Sequence, residues 1–253
     1  DTSSTTKADI QMKNNLPQLL TILLASSLAM PVFATPFSVT PVRIYMTPKD
    51  KAIAVTVTNE GDEELVMQAD VYSWKQKENG EDDLVLTEDL LLSPPIIKLA
   101  AKARQVVRLA RLRSASPDDQ MTYRLIMREV PEAKPNKGDL QLQIALAFSL
   151  PVFITPPQAK PALDCKVERS TADTIKAVCE NSGHAYAQLI DMELNNAEGA
   201  ILASRDAGGY VLPSNKRTFD IKSADKTIPS GKARLNVRLD DGTKQTFDVT
   251  IAE

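Results

Sequence analysis

Apolar and polar side chains alternate along most of the chain after residue 36. The clearest case is residues 140–150, where large apolar residues take every second position: Leu140, Leu142, Ile144, Leu146, Phe148 and Leu150. A period of two places all these side chains on one face of a β-strand, whereas a helix would scatter them around its circumference. The pattern predicts a strand about twice as long as the usual ~5–6 residues.

The rest of the chain predicts more strands and no helix with a 3.6-residue apolar period. The strand candidates are Ile53–Val57, Leu65–Trp74, Val106–Leu112, Tyr123–Val130, Tyr186–Leu194, Leu235–Leu239 and Phe247–Ile251. Turn-forming residues end two of them, at Asn195–Gly199 and Asp240–Thr243. The sequence therefore predicts an all-β protein.

A proline-rich stretch divides the predicted strands into two groups. Residues 151–161 contain four prolines, which is typical of a connection between domains. Each side of it holds about as many residues as the ~100 of an immunoglobulin-like sandwich. We expect two immunoglobulin-like β-sandwich domains, at residues 35–155 and 156–253.

The first 34 residues have the character of a targeting segment. A short basic start at Met12–Asn15 precedes an uncharged stretch from Leu16 to Phe33, and the stretch ends at the small residue Ala34. Prolines and polar residues interrupt the stretch, so its apolar core is shorter than the ~20 residues of a membrane span. We expect a cleaved signal peptide rather than an anchor, with residues 1–11 as an upstream extension.

Charge and composition exclude several classes of function. The net charge of −3 argues against a nucleic-acid-binding protein, which usually carries a basic surplus. One histidine and two cysteines are too few for the common zinc sites, and no glycine-rich phosphate loop is present. We expect no catalytic residues, no metal and no cofactor.

The few groups that could support catalysis have simpler interpretations. The single histidine, His184, follows an Asn-Ser-Gly turn and is expected to be exposed and uninvolved. The carboxylate pairs Asp82–Asp83 and Asp240–Asp241 are expected to lie in solvated turns.

Cys165 and Cys179 are fourteen residues apart, with a turn-like segment midway between them. This spacing places them opposite each other on a β-hairpin. In an exported protein we expect a structural disulfide, since a catalytic dithiol more often has the Cys-x-x-Cys spacing.

Three arginines lie on predicted strands. Arg43 follows Val42, whereas Arg124 and Arg128 are four residues apart and so share one face of the strand Tyr123–Val130. Ordinary surface charge is the simplest interpretation. A desolvated arginine on a sheet would instead require a carboxylate partner, held in bidentate fashion.

The long strand also has two interpretations. Its apolar face could belong to the core of its own domain. Alternatively, a strand longer than its neighbours would expose apolar side chains that a partner must cover by adding its own strand to the edge.

Taken together, these segments resemble the PapD-like periplasmic pilus chaperones. The resemblance rests on Val42–Met46, Pro94–Leu99 with Gln105–Leu109, Tyr123–Pro131, and above all Leu142–Leu146. The second domain is similar mainly in its Asn181–Gly183 turn and its strand pattern.

The resemblance implies a function in pilus assembly. Two immunoglobulin-like domains would form a boomerang, and the long strand would complete a pilin subunit that lacks its last strand. Basic residues in the cleft would bind the C-terminal carboxylate of the subunit, and the complex would pass to an outer-membrane usher without ATP. The implied compartment is the periplasm.

The sequence departs from this family at one position. The familiar chaperones place a cleft lysine near the end of the donor strand, where this chain has Pro151. Strand direction makes Arg124 the candidate replacement, and the divergence indicates the archaic branch of the pathway. The expected anchors are Arg43, Arg124 and Arg128, and the expected donor residues are Leu140, Leu142, Ile144 and Leu146. A generic exported immunoglobulin-like binding or adhesion module is the alternative.

Overall fold

A computed structural model describes residues 37–77, 79–130, 145–224 and 227–253. These ranges contain eighteen β-strands and no helix. A helix long and apolar enough to span a membrane is accordingly not found among the described residues. They fall within one compact unit, Thr35–Glu253. The predicted signal peptide and the donor residues Leu140, Leu142 and Ile144 lie outside the described residues.

The first ten strands form two facing sheets. Their bounds are β1 Phe37–Thr40, β2 Ile44–Met46, β3 Ala52–Asn59, β4 Leu65–Gln76, β5 Asp82–Leu86, β6 Leu90–Ser93, β7 Ile96–Leu99, β8 Arg104–Arg111, β9 Met121–Glu129 and β10 Ala147–Ile154. The first sheet has the order β1-β3-β8-β6. The second has the order β2-β10-β9-β4-β5, with β7 also paired to β4.

The core of this first domain lies between the two sheets. Alternate residues of β9 point into it, so Tyr123, Leu125 and Met127 are buried while Arg124 and Arg128 lie on the opposite, outer face. The predicted placement of the two arginines on one face is therefore confirmed. Strand β4 alternates in the same way from Leu65 to Tyr72.

Eight strands beyond residue 162 form the second domain. Their bounds are β11 Leu163–Arg169, β12 Thr174–Asn181, β13 Ala187–Asn196, β14 Ile201–Arg205, β15 Gly209–Val211, β16 Asn215–Lys222, β17 Gly231–Leu239 and β18 Lys244–Ile251. They form a third sheet, ordered β11-β12-β16-β14-β13-β17-β18, with β15 paired to β13. This sheet bends around a separate apolar core.

The predicted disulfide is present in the second domain. Cys165 on β11 and Cys179 on β12 are direct neighbours in the antiparallel pairing, and their sulfurs are bonded. Both half-cystines are buried in the core of the third sheet. The bond therefore joins the first strand of the sheet order, β11, to its neighbour β12 within the apolar core of the domain.

Two predictions about local structure were wrong. The strand predicted over residues 140–150 begins, in the described part of the chain, only at Ala147 and continues as β10 to Ile154, so Pro151 lies within a strand and not in a connection. Pro151 is tolerated because β2 pairs with β10 only at Val152–Ile154, which leaves the edge of β10 at Pro151 without a ladder partner in the described ranges. Asp82 and Asp83 begin strand β5 and do not lie in a turn.

Candidate functional site

The second domain covers one end of the outer face of the second sheet. Trp74 and Gln76 share that outer face with Tyr72, yet they are only 1% and 8% exposed. Neither side chain belongs to the core between the two sheets, because Trp74 packs with Phe153 and with Leu212 of the second domain. Burial here is the result of contact between domains.

Five aromatic rings form the centre of this contact. Phe153 of β10 stacks on Tyr186 of the second domain, with ring centres 4.2 Å apart, and on Tyr45 at 5.8 Å. Trp74 meets the edge of Tyr210 at 5.2 Å. Because aromatic contacts are both apolar and geometrically specific, this interdomain aromatic cluster fixes how the two faces meet.

A buried glutamine adds directed hydrogen bonds to the contact. The amide nitrogen of Gln76 donates to the carbonyl of Tyr210 at 3.0 Å, and its amide oxygen accepts from the backbone N–H of Leu212 at 2.9 Å. The neighbouring turn is also close-packed, because a Cβ atom at Gly80 would lie 2.7 Å from Cγ of Arg217. The side-chain amide of Gln76 thus makes one donor and one acceptor hydrogen bond to the backbone of the second domain, as the backbone of a paired strand residue does.

A second glutamine makes a similar connection elsewhere on the contact. The side chain of Gln120 accepts from the backbone N–H of Tyr186 at 2.9 Å and donates to the hydroxyl of Thr155 at 2.7 Å. Beside it, Nδ1 of His184 lies 2.7 Å from a carboxylate oxygen of Asp119. His184 is exposed and lies in a bend, as predicted, but it contacts the first domain.

Arg43 lies between β1 and β2 and reaches across to the second domain. Its Nη1 donates to the carboxylate of Asp240 at 2.9 Å, and its guanidinium carbon lies 5.9 Å from the centre of the Tyr210 ring. The side chain is 35% exposed. The hydroxyl of Tyr45, with smaller contributions from Tyr210 and Asp240, holds the pKa of Arg43 above its ordinary value, so the cation is permanent.

Arg124 approaches the same tyrosine ring from β9. Its guanidinium carbon lies 3.7 Å from the centre of the Trp74 ring and 5.8 Å from that of Tyr210. The side chain is only 15% exposed, and burial lowers the pKa of its guanidinium. Asp82 forms an ion pair with it at 3.6 Å, a distance that is too long for a hydrogen bond. Arg124 is therefore charge-compensated but retains donor capacity.

The structure separates Arg128 from this pair. Arg128 donates to Asp70 at 2.9 Å and to the hydroxyl of Tyr72 at 3.2 Å, both within the first domain. It pairs with Ala147 at the start of β10, whereas Arg124 pairs with Pro151. The sequence-predicted arginines thus divide into two at the domain contact, Arg43 and Arg124, and one away from it.

The register of β10 gives the proline a specific neighbour. Residues directly opposite in an antiparallel pair share a face, so Arg124 occupies the same outer-face location as Pro151, one strand over. Strand β10 has no cationic side chain, but Arg124 on the adjacent strand β9 places one opposite Pro151.

Strand β10 has an open edge next to this contact. One side of the strand pairs with β9 along its full length, but in the described ranges its other side pairs with β2 only from Val152 onward. Before that point Leu146 packs against the core, Leu150 is buried, and Phe148 is 37% exposed with its ring 4.6 Å from that of Phe37. The open edge can accept backbone hydrogen bonds from another chain.

Several residues of the contact were not predicted from the sequence. Asp240 lies in an exposed turn, as expected, but its carboxylate also binds Arg43 and the hydroxyl of Tyr186, which was not predicted. Trp74 and Gln76 could have been noticed, because the alternation of β4 places a large aromatic side chain on the polar face. No sequence signal identifies Tyr210 or Tyr186, which come from a different domain.

No group of three or more histidine, cysteine or acidic side chains that could hold a metal is found in the described part of the chain.

The fold and the contact together define the protein as an all-β chain of two immunoglobulin-like domains, with cationic side chains at their junction. Residues 36–160 match the family described as pili and flagellar-assembly chaperone, PapD N-terminal domain. Residues 36–160 therefore carry the N-terminal domain of this chaperone family, whose function is not enzymatic.

One curated relative supports the assignment. The chain is 32% identical over 130 residues to the uncharacterized fimbrial chaperone YbgP of Escherichia coli K12. The match covers 50% of this chain and 51% of YbgP, so it spans about half the length of that relative.

Solved chaperone structures share the fold at lower identity. The CsuC–CsuE complex of a chaperone with a tip adhesion subunit, from the archaic Csu pili of Acinetobacter baumannii, matches with a TM-score of 0.62 and 21% identity. The match covers 86% of this chain and 100% of the other. The Salmonella enterica SafA pilin–SafB chaperone complex matches with a TM-score of 0.55 and 16% identity, over 87% and 98% of the chains.

Proposed function

We propose that this protein is a periplasmic chaperone that binds pilin subunits by donor-strand complementation and delivers them to an outer-membrane usher. The single observation that carries the proposal is the partly unpaired edge of β10, which continues the apolar alternation of residues 140–150. Its partners are pilin subunits and the usher, and neither nucleic acid nor ATP takes part.

The donor segment is the part of β10 before Val152 together with the residues that precede it. Leu146 and Leu150 point toward the core side, and the alternation places Leu140, Leu142 and Ile144 in the same phase. Each large apolar side chain that enters a subunit groove would stabilise the complex by about 1.5–3 kcal/mol. Backbone hydrogen bonds along the open edge would set the register.

Arg43 and Arg124 are the proposed anchors for the C-terminal carboxylate of the subunit. Both guanidinium groups lie within 6 Å of the Tyr210 ring, and Arg124 retains donors that Asp82 does not use. A terminal carboxylate is costly to bury unless it is paired, so the cations at this junction favour its capture. Arg128 is the third candidate, but Asp70 and Tyr72 already occupy it.

The location of Arg124 opposite Pro151 also supports placement in the archaic branch of chaperone–usher pathways. In this proposal the adjacent strand supplies the cation that the familiar chaperones carry as a lysine on the donor strand. The likeness to the CsuC–CsuE complex agrees with this placement at the level of fold.

Coexpression with a chaperone–usher pilin from the same genome, in the periplasm, tests the proposal. We expect a soluble 1:1 complex that copurifies through a tag on the chaperone. Pilin that stays insoluble or is degraded, with no complex recovered, would contradict the proposal. That result would favour a generic exported immunoglobulin-like binding or adhesion module.

A further inference from the structure

The carboxylate of Asp240 occupies the cationic junction in the free protein. It lies in the turn between β17 and β18, where Oδ2 accepts from Nη1 of Arg43 at 2.9 Å and from the hydroxyl of Tyr186 at 3.3 Å. Arg43 belongs to the first domain and Asp240 to the second, 197 residues along the chain. The ion pair therefore joins the two domains.

The hydrogen bonds that stabilise the turn do not involve the carboxylate of Asp240. The neighbouring carboxylate, Asp241, accepts from the backbone N–H and the hydroxyl of Thr243 at 2.9 and 2.7 Å, which is the local bonding that stabilises such a turn. The backbone N–H of Asp240 donates to the carbonyl of Gln188 at 3.0 Å. The backbone fixes the turn, and the carboxylate of Asp240 is directed toward Arg43.

The hydroxyl of Tyr186 is the second ligand of this carboxylate. Tyr45 and Tyr186 share a hydrogen bond of 2.9 Å between their hydroxyl oxygens. A carboxylate can only accept, so Tyr186 donates to Asp240 and Tyr45 donates to Tyr186. Burial raises the pKa of the Tyr186 hydroxyl, so it remains a neutral donor at all physiological pH values.

We propose that Arg43 and Tyr186 form a carboxylate-binding subsite that Asp240 fills in the free chaperone, and that the C-terminal carboxylate of a pilin subunit displaces it. The inference rests on the proposed function and adds a competing internal ligand and a tyrosine to the anchor site. Asp240 then acts as an internal competitor that weakens the capture of anionic ligands.

The physical reason for competition is charge. Asp240 and a peptide C-terminus present the same carboxylate group. If both were bound to the guanidinium of Arg43 at once, the two negative charges would repel each other. The side chains of Arg43 and Asp240 are 35% and 21% exposed, so the ion pair is weak enough to exchange. Release of Asp240 would leave its carboxylate hydrated at the edge of the junction.

A head-to-head competition tests the exchange. Wild-type chaperone and the Asp240→Asn variant carry different affinity tags and are coexpressed with a limiting amount of the same pilin, with the tags swapped in a repeat. Asn keeps the shape but removes the charge, so we expect this variant to retain about twofold to fivefold more pilin than wild type. Tyr186→Phe should retain less pilin than wild type.

The Asp191→Asn variant is the matched control. Asp191 is paired with Arg238 in the second domain and is 27% exposed, but it does not touch the junction, so its variant should share the pilin equally with wild type. In an Arg43→Ala background, the gain from Asp240→Asn should disappear.

Three results would overturn the inference. An Asp240→Asn variant that retains the same amount of pilin as wild type, or less, shows that Asp240 does not compete. A gain that persists without Arg43 places the effect elsewhere. If wild type itself captures no pilin, the proposed function fails and the inference fails with it; wild-type capture without any gain contradicts the inference alone.

Discussion

The guanidinium carbon of Arg124 lies over the indole ring of Trp74, 3.7 Å from its centre. A cation this close to an aromatic face gains electrostatic stabilisation, and more so where water is excluded. The same guanidinium lies 5.8 Å from the Tyr210 ring of the second domain. One side chain therefore contributes both to the domain contact and to the proposed anchor.

Replacement of Arg124 with methionine separates these two contributions. Met preserves an apolar chain over Trp74 but has no charge, so we expect stability to fall only by the cation–π contribution, about 0.5–2 kcal/mol. Subunit affinity should fall by about 30-fold or more, the result of losing roughly 2–5 kcal/mol of a buried charge pair. Thermal unfolding and pilin recovery measure the two effects.

Arg128→Met is the matched control for that variant, because Arg128 lies on the same face of the same strand. It should retain pilin as wild type does. If Arg128→Met loses pilin and Arg124→Met does not, the second anchor is Arg128, although the chaperone function would stand.

Arg43→Ala should also lose the subunit. The guanidinium of Arg43 is the proposed first anchor, and its removal should reduce pilin affinity about 30-fold or more. Arg113→Ala is the control, because Arg113 is exposed and pairs with Asp89 within the first domain. Equal pilin recovery with both variants would argue against anchoring at Arg43.

A charge on the apolar face of the donor segment should abolish binding. Leu142→Asp and Ile144→Asp would each place an unpaired carboxylate in an apolar subunit groove, which costs far more than the lost side-chain contact. Both variants should fold and fail to copurify pilin. Gln143→Asp, one residue away in the opposite phase, should still copurify pilin. Full recovery of pilin with both Leu142→Asp and Ile144→Asp would reject donor-strand binding by this segment.

Gln76→Leu tests the contact between the domains. Leucine has a similar size but leaves the Tyr210 carbonyl and the Leu212 N–H without their side-chain partner, so stability should fall by about 1–3 kcal/mol. Gln68→Leu, an exposed position on the same face of β4, should change stability little. Denaturant unfolding measures both, and equal effects would show that Gln76 has no special role.

Loss of the disulfide should destabilise the second domain. The Cys165→Ala/Cys179→Ala variant removes a loop constraint worth about 3 kcal/mol in the chain-entropy model. Its unfolding transition should move to lower temperature, while the strands of the first domain keep their amide exchange protection. Free thiols in protein purified from the periplasm would contradict the structural assignment of this bond.

Much of the fold could be predicted because β-sandwich strands carry their own pattern. The apolar-rich segment Tyr123–Val130 was identified as the strand that is β9, and the four-residue spacing of Arg124 and Arg128 placed both on one face of it. The spacing of Cys165 and Cys179 identified their hairpin. Pro151 misled the prediction of where β10 ends, because a proline that breaks a central strand is tolerated beside an unpaired edge.

The sequence by itself determined many of the strands, the disulfide between two neighbouring strands and the resemblance to pilus chaperones, because these depend on residues near one another in the chain. Only the tertiary structure decided that Trp74 and Gln76 are buried on a polar face, that Arg124 lies opposite Pro151 beside Tyr210, and that Asp240 binds Arg43. Those contacts join side chains from two domains, and local periodicity carries no information about which surfaces of separate domains meet.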